Sequence, residues 1–82
     1  MISRTQIRAG RALVGLNQKE LADLAGCGVA TIRRIEGAED EISGAAQTMA
    51  KIQQALESAG IVFIDQDQTS GPGVRLNKPI DR

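Results

Sequence analysis

Histidine, tryptophan and tyrosine are absent from this chain of 82 residues, Phe63 is its one aromatic residue and Cys27 its one cysteine. Without histidine there is no His/Cys metal site and no nucleophile–histidine dyad, so the usual starting points for enzyme chemistry are missing. A single cysteine excludes an intrachain disulfide. With so little aromatic mass the core must come from Leu, Ile, Val and Ala, a set that favours packed helices over a sandwich of strands. No run approaches the roughly 18 apolar residues needed to cross a membrane. Met1-Ile2-Ser3-Arg4 turns polar at once and lacks the apolar stretch of a secretion signal, so a cytoplasmic protein is expected. Gly71-Pro72-Gly73 lacks the Lys-Ser/Thr of a phosphate-binding loop. No cofactor, metal or catalytic group is expected.

What remains is one small domain. A chain of this length buries only about 60–65% of its unfolded surface, so a partner subunit would add useful core. The net charge is zero, but it is unevenly spread. Residues 1–34 hold six basic side chains against two acids, leaving +4; residues 35–82 hold four against eight, leaving −4. A basic front of this kind points to a polyanionic partner.

Ser3-x-x-Gln6 reads as a capping box, and Ile7, Ala9, Leu13 and Val14 continue at helical spacing until Gly15 stops the helix. Asn17 and Glu20 repeat the start signal for a short second helix carrying Leu21, Ala22 and Leu24. Gly26-Cys27-Gly28 is a turn. A third helix follows over about 29–36, with Ile32 and Ile35 facing inward and Gly37 as its cap. Residues 38–44 form an acidic loop, Ser43 caps a fourth helix over about 45–59, and Met49, Ile52 and Leu56 are its apolar stripe. Gly60 ends it. Ile61–Ile64 and Val74–Leu76 then read as two strands joined by a polar loop, followed by a frayed tail from Asn77.

Residues 18–36 together obey Gln-x2-Leu-Ala-x3-Gly-x5-Ile-x2-Ile-Glu. Ala22 must be small where two helices cross closely, and Gly26 makes the sharp turn between them. Leu21, Ile32 and Ile35 lock the angle from beneath. In these positions the chain resembles the phage-repressor-like (XRE) helix-turn-helix family over about residues 4–58. The resemblance implies an all-α helix-turn-helix domain of four or five short helices, here extended by a small C-terminal β-hairpin. Residues 1–60 would be the DNA-binding domain and 61–82 the hairpin and tail.

The resemblance also implies roles. The third helix would enter the major groove, with Val29, Ala30 and Arg34 at base edges and Arg34 suited to a guanine. Val29 and Ala30 depart from the polar residues frequent there and could only pack on thymine methyls. Gln18, Lys19, Thr31 and Arg33 would hold phosphates, with the Gly28 backbone beside them. Arg11 and Glu36 would form a structural salt bridge rather than touch DNA. Plainer readings stand beside these: Gln18 as a solvated helix start, Arg33 and Arg34 as an ordinary exposed face, Arg4 and Arg8 as solvated surface, Cys27 as a small turn residue rather than a redox sensor. Glu39-Asp40-Glu41 depart from the family by placing acids where phosphates would approach. Ser43 and Gly44 could still offer backbone N–H groups.

The expected function is sequence-specific binding of double-stranded DNA by a transcriptional regulator, a repressor acting as a homodimer on a pseudo-palindrome. The alternative is the antitoxin of a toxin–antitoxin pair, with a protein toxin as second partner. Residues 61–76 and the fourth helix are the expected dimer contact, against a hairpin tucked on its own monomer. A hairpin alone is marginal in water, so its apolar residues need cover.

Overall fold

Ser3 opens α1 (Arg4–Val14): its Oγ accepts from the Gln6 N–H at 3.1 Å while Gln6 Oε1 accepts from the Ser3 N–H at 2.9 Å. Asn17 and Glu20 build the same reciprocal cap ahead of α2 (Gln18–Ala25), with both bonds at 2.8 Å. Each cap satisfies helix N–H groups that have no partner inside the helix. Both helices stop on glycines, Gly15 and Gly26, at φ 72°, a left-handed conformation in which a Cβ is strained.

The computed structural model describes residues 2–37 and 46–80. α3 (Val29–Gly37) runs one residue beyond the predicted end, so Gly37 lies inside the helix instead of capping it. α4 (Ala46–Ser58) falls within the predicted 45–59. The acidic loop with Glu39-Asp40-Glu41, and the proposed cap at Ser43 and Gly44, lie outside the described residues.

The core is aliphatic, as the lack of aromatics requires. Ile7, Leu21, Ile32, Ile35, Met49, Ile52 and Leu56 are fully buried, joining all four helices. The predicted apolar face of α1 needs correction. Ile7 is buried and Val14 half-buried against the core, but Ala9 and Leu13 are exposed. Gln6 and Gly10 are buried in their stead, because that side of α1 receives the hairpin. A Cβ on Gly10 would meet Ile61 and Leu56 side chains at 3.6 Å. Leu24 on α2 is 60% exposed.

The hairpin consists of β1 (Ile61–Ile64) and β2 (Gly73–Leu76), antiparallel, with Ile61 opposite Leu76 and Ile64 opposite Gly73. Opposed residues share a face of the sheet. Ile61, Phe63, Val74 and Leu76 therefore turn inward onto the helices, while Val62, Ile64 and Arg75 are exposed on the outer face. The loop before β2 is shaped by Asp67, whose Oδ1 accepts from the N–H groups of Thr69 and Ser70, both at 2.8 Å. Those two bonds lead the causes that hold the Asp67 carboxyl below its ordinary range. The inner face of the hairpin is thus covered by its own chain. Gln6 fixes the seat: its Nε2 donates to Gly73 O at 2.9 Å and to Ile64 O at 3.2 Å.

Candidate nucleic-acid interface

Three helices meet at one carboxylate. Glu36, near the end of α3, is 5% exposed and would be costly to bury alone. Arg11 on α1 satisfies it from two points, Nε to Oε2 at 2.9 Å and Nη2 to Oε1 at 2.8 Å. Its remaining nitrogen, Nη1, donates to Leu16 O at 3.1 Å, which fixes the α1–α2 connection. The hydrogen bond to Glu36 is the main reason the Arg11 guanidinium holds its proton more tightly than usual. Gln18, the first residue of α2, adds a third donor: Nε2 to Glu36 Oε1 at 3.2 Å.

The turn between α2 and α3 is set by backbone alone. Cys27 N–H donates to Ala22 O at 3.0 Å across Gly26, closing α2. Gly28 O then accepts from Thr31 N–H at 3.1 Å, starting α3 with no side-chain cap among the described residues. Ala22 is buried at the crossing, and Leu21, Ile32 and Ile35 fill the space beneath. An arrangement of that kind presents the opposite face of α3 outward.

On that outer face Ala30, Arg33 and Arg34 are exposed, as is Gly28 ahead of the helix. Neither arginine has an acidic partner within the described residues. Thr31 is half-buried at the side, and Val29 is half-buried with its side chain packed against the core. Lys19 is exposed and lies 3.3 Å from Asp23, one turn along α2. Arg11 and Glu36 are withdrawn from the surface into their pair, whereas Gln18 stands at the rim between pair and solvent. Cys27 is half-buried in the turn, and burial pushes its thiol pKa up, with Lys51 acting weakly the other way. That is the reverse of what a reactive thiolate needs.

Two features escaped the sequence. The Gln18–Glu36 bond had no local signal, because the partners are 18 residues apart. Gln6 was legible as a capping residue, but only Oε1 is used there; its amide nitrogen serves the hairpin. Among the described residues no group of His, Cys, Asp and Glu side chains could hold a metal, and no helix is long and apolar enough to cross a membrane.

The arrangement can do one kind of chemistry well. The helix pair presents two exposed guanidinium groups that have no acidic partner among the described residues, with polar hydrogen-bond donors at the joint, a surface suited to a polyanion. A family model described as helix-turn-helix matches residues 7–58, from within α1 to the end of α4. Comparison with curated proteins gives no match.

Proposed function

The chain belongs to the XRE, lambda-repressor-like helix-turn-helix family of DNA-binding transcription regulators, and from that premise we propose that it is a cytoplasmic repressor that binds a pseudo-palindromic operator as a homodimer. α3 lies in the major groove. Arg34 makes a bidentate contact to guanine, a pairing worth about 1–3 kcal/mol of discrimination. Ala30 and the outward part of Val29 pack on thymine methyls. Arg33, Lys19, Thr31, Gln18 and the Gly28 N–H grip phosphates and set register. Residues 61–76, seated over α1 and α4, carry the dimer contact. The single observation that supports this reading most is the division of α3: Ile32 and Ile35 wholly buried, Arg33 and Arg34 exposed and uncommitted among the described residues.

Selection of bound sequences from random duplexes at a stated salt concentration tests it. The expected result is two inverted half-sites about one helical turn apart, each with an invariant guanine. Recovery of unenriched sequences would overturn sequence-specific binding, and a lone half-site would overturn the dimer. The exposed Val62, Ile64 and Ile80 favour a second reading, in which the same regulator is an antitoxin holding a protein partner on that apolar surface. Co-purification of a second small protein with the chain would separate the two.

A further inference from the structure

β2 has a free edge, and the bonding pattern shows which groups lie on it. Asn77 N–H donates to Gly60 O at 2.8 Å, which sets the phase of the antiparallel ladder. Alternation then places Val62/Arg75 and Ile64/Gly73 as the hydrogen-bonded pairs. The N–H and C=O groups of Val74 and Leu76 therefore point away from β1, and no cap, turn or side-chain bond among the described residues takes them up. Beside that edge runs a groove of about 450 Å³, floored by Gln6 and lined by Thr5 and Ala9 of α1 and by Pro72, Gly73 and Val74. Thr5, Ala9, Ala12 and Leu13 continue it along α1 as an exposed, uncharged strip. An unpaired strand edge next to an uncharged groove is a template for another strand.

The charge distribution selects the strand. Around β2 the hairpin is polar in charge: the loop before it carries exposed Asp65 and Asp67, and the chain from its middle onward carries exposed Arg75 and Lys78. An antiparallel copy lays each basic end beside the other's acidic loop. Register narrows it further. Centring the two-fold between residues 75 would set Arg75 against Arg75, which like charge opposes. Centring it on Val74 sets Arg75 against Gly73, which has no side chain to clash, and ends the ladder at Pro72, which has no N–H to give.

We propose that the second copy of this chain docks on the free edge of β2, Val74 opposite Val74, to make a continuous four-stranded sheet β1-β2-β2-β1 with the α1 groove filled from both sides. This rests on the dimeric reading above and names its interface: β2 and α1, not α4. The exposed side chains of α4 are largely polar, with Gln47, Lys51, Gln54 and Glu57 among them, so α4 supports the hairpin from beneath without meeting the partner. The symmetry is isologous, as a two-fold operator requires.

Sedimentation equilibrium on the full chain, on Ala9→Lys and on Gln54→Lys tests the proposal. Ala9→Lys puts a cation in the groove at an exposed helical position, and should raise the dimer dissociation constant by roughly tenfold or more; Gln54→Lys should leave it unchanged. Thermal melting at a concentration where both are monomeric checks that Ala9→Lys still folds. A second arm uses Cys27→Ser with Gly73→Cys and Arg75→Cys. Those two positions face each other across the two-fold as a non-hydrogen-bonded pair, with Cα atoms about 4.5 Å apart, within disulfide reach. A Cβ at Gly73 meets nothing closer than 3.9 Å. Oxidation should give a covalent dimer, and neither single cysteine variant should cross-link as fast. If the unaltered chain is dimeric but Ala9→Lys stays dimeric and the cysteines do not link, this interface is wrong while the dimer stands. A monomeric unaltered chain at high concentration overturns both.

Discussion

Arg11 and Glu36 lie 25 residues apart and meet in a two-point ion pair, Nε to Oε2 at 2.9 Å and Nη2 to Oε1 at 2.8 Å, that joins the first helix to the end of the third. Glu36 is almost wholly buried, and the Arg11 side chain keeps 22% of its exposure. Removing the carboxylate leaves a partly desolvated guanidinium without a counter-charge. Glu36→Ala should therefore cost about 2–3 kcal/mol, less than breaking a fully buried pair because Arg11 still reaches water. Urea denaturation measures it; a loss under about 0.5 kcal/mol would mark the pair as no stronger than a surface contact.

Gln6 ties the hairpin to α1 through two carbonyls, so Gln6→Ala should loosen the hairpin before it loosens the helices. The expected loss is about 1–3 kcal/mol, from two part-buried hydrogen bonds worth about 0.5–1.5 kcal/mol each. Amide hydrogen exchange should show lost protection in 61–64 and 73–76 with α2 and α3 largely unchanged. Uniform loss across the chain would show that the hairpin and helices unfold as one unit.

Arg34 and Arg33 are adjacent but are assigned different tasks. Arg34→Ala should weaken binding to the preferred operator by about 1–3 kcal/mol and relax the preference at one base pair. Arg33→Ala should weaken all sequences alike and reduce the slope of log affinity against log salt by about 1. Titrations at three or more salt concentrations distinguish them, and equal effects from the two substitutions would remove the assignment of Arg34 to base reading.

Gly10 sits in the middle of α1 where Ile61 and Leu56 pass close by. An added Cβ would lie 3.6 Å from both, an ordinary contact distance. Gly10→Ala should therefore stabilise the fold, by about 0.5–1 kcal/mol from reduced freedom of the unfolded chain and better helix propensity. A lowered melting temperature would show that α1 and β1 have no slack at that contact.

Cys27 should be a slow nucleophile. Burial raises its pKa, so the folded state favours the neutral thiol; the associated stabilisation is present at neutral pH and is lost as pH rises through the folded value. Alkylation by iodoacetamide at pH 7.5 should run slower for the native chain than in denaturant, and the gap should narrow at alkaline pH. Faster reaction in the native state would restore a redox role for the turn.

Much of the fold is legible in local chemistry. The capping boxes at Ser3/Gln6 and Asn17/Glu20, the stops at Gly15 and Gly26, and the two short strands all rest on signals within a few residues of one another. So does the division of α3 into Ile32 and Ile35 on one side and Arg33 and Arg34 on the other. Leu13 and Ala9 are exposed against the spacing of α1, because helical spacing says that residues share a face, not which neighbour arrives to cover it.

The linear sequence thus determined where the first two helices begin and end, that the core would be aliphatic, and that basic side chains would gather on the outer face of the third helix. These follow from backbone capping, residue volume and period, all of which act over one or two turns. Only tertiary structure decided that Glu36 would gather Arg11 and Gln18 into one joint, and that Gln6 would spend its amide on Ile64 and Gly73. It also decided that β2 would keep an open edge beside Thr5 and Ala9. Each of these depends on a partner tens of residues away, and a buried donor or acceptor finds that partner only once packing has brought the segments together.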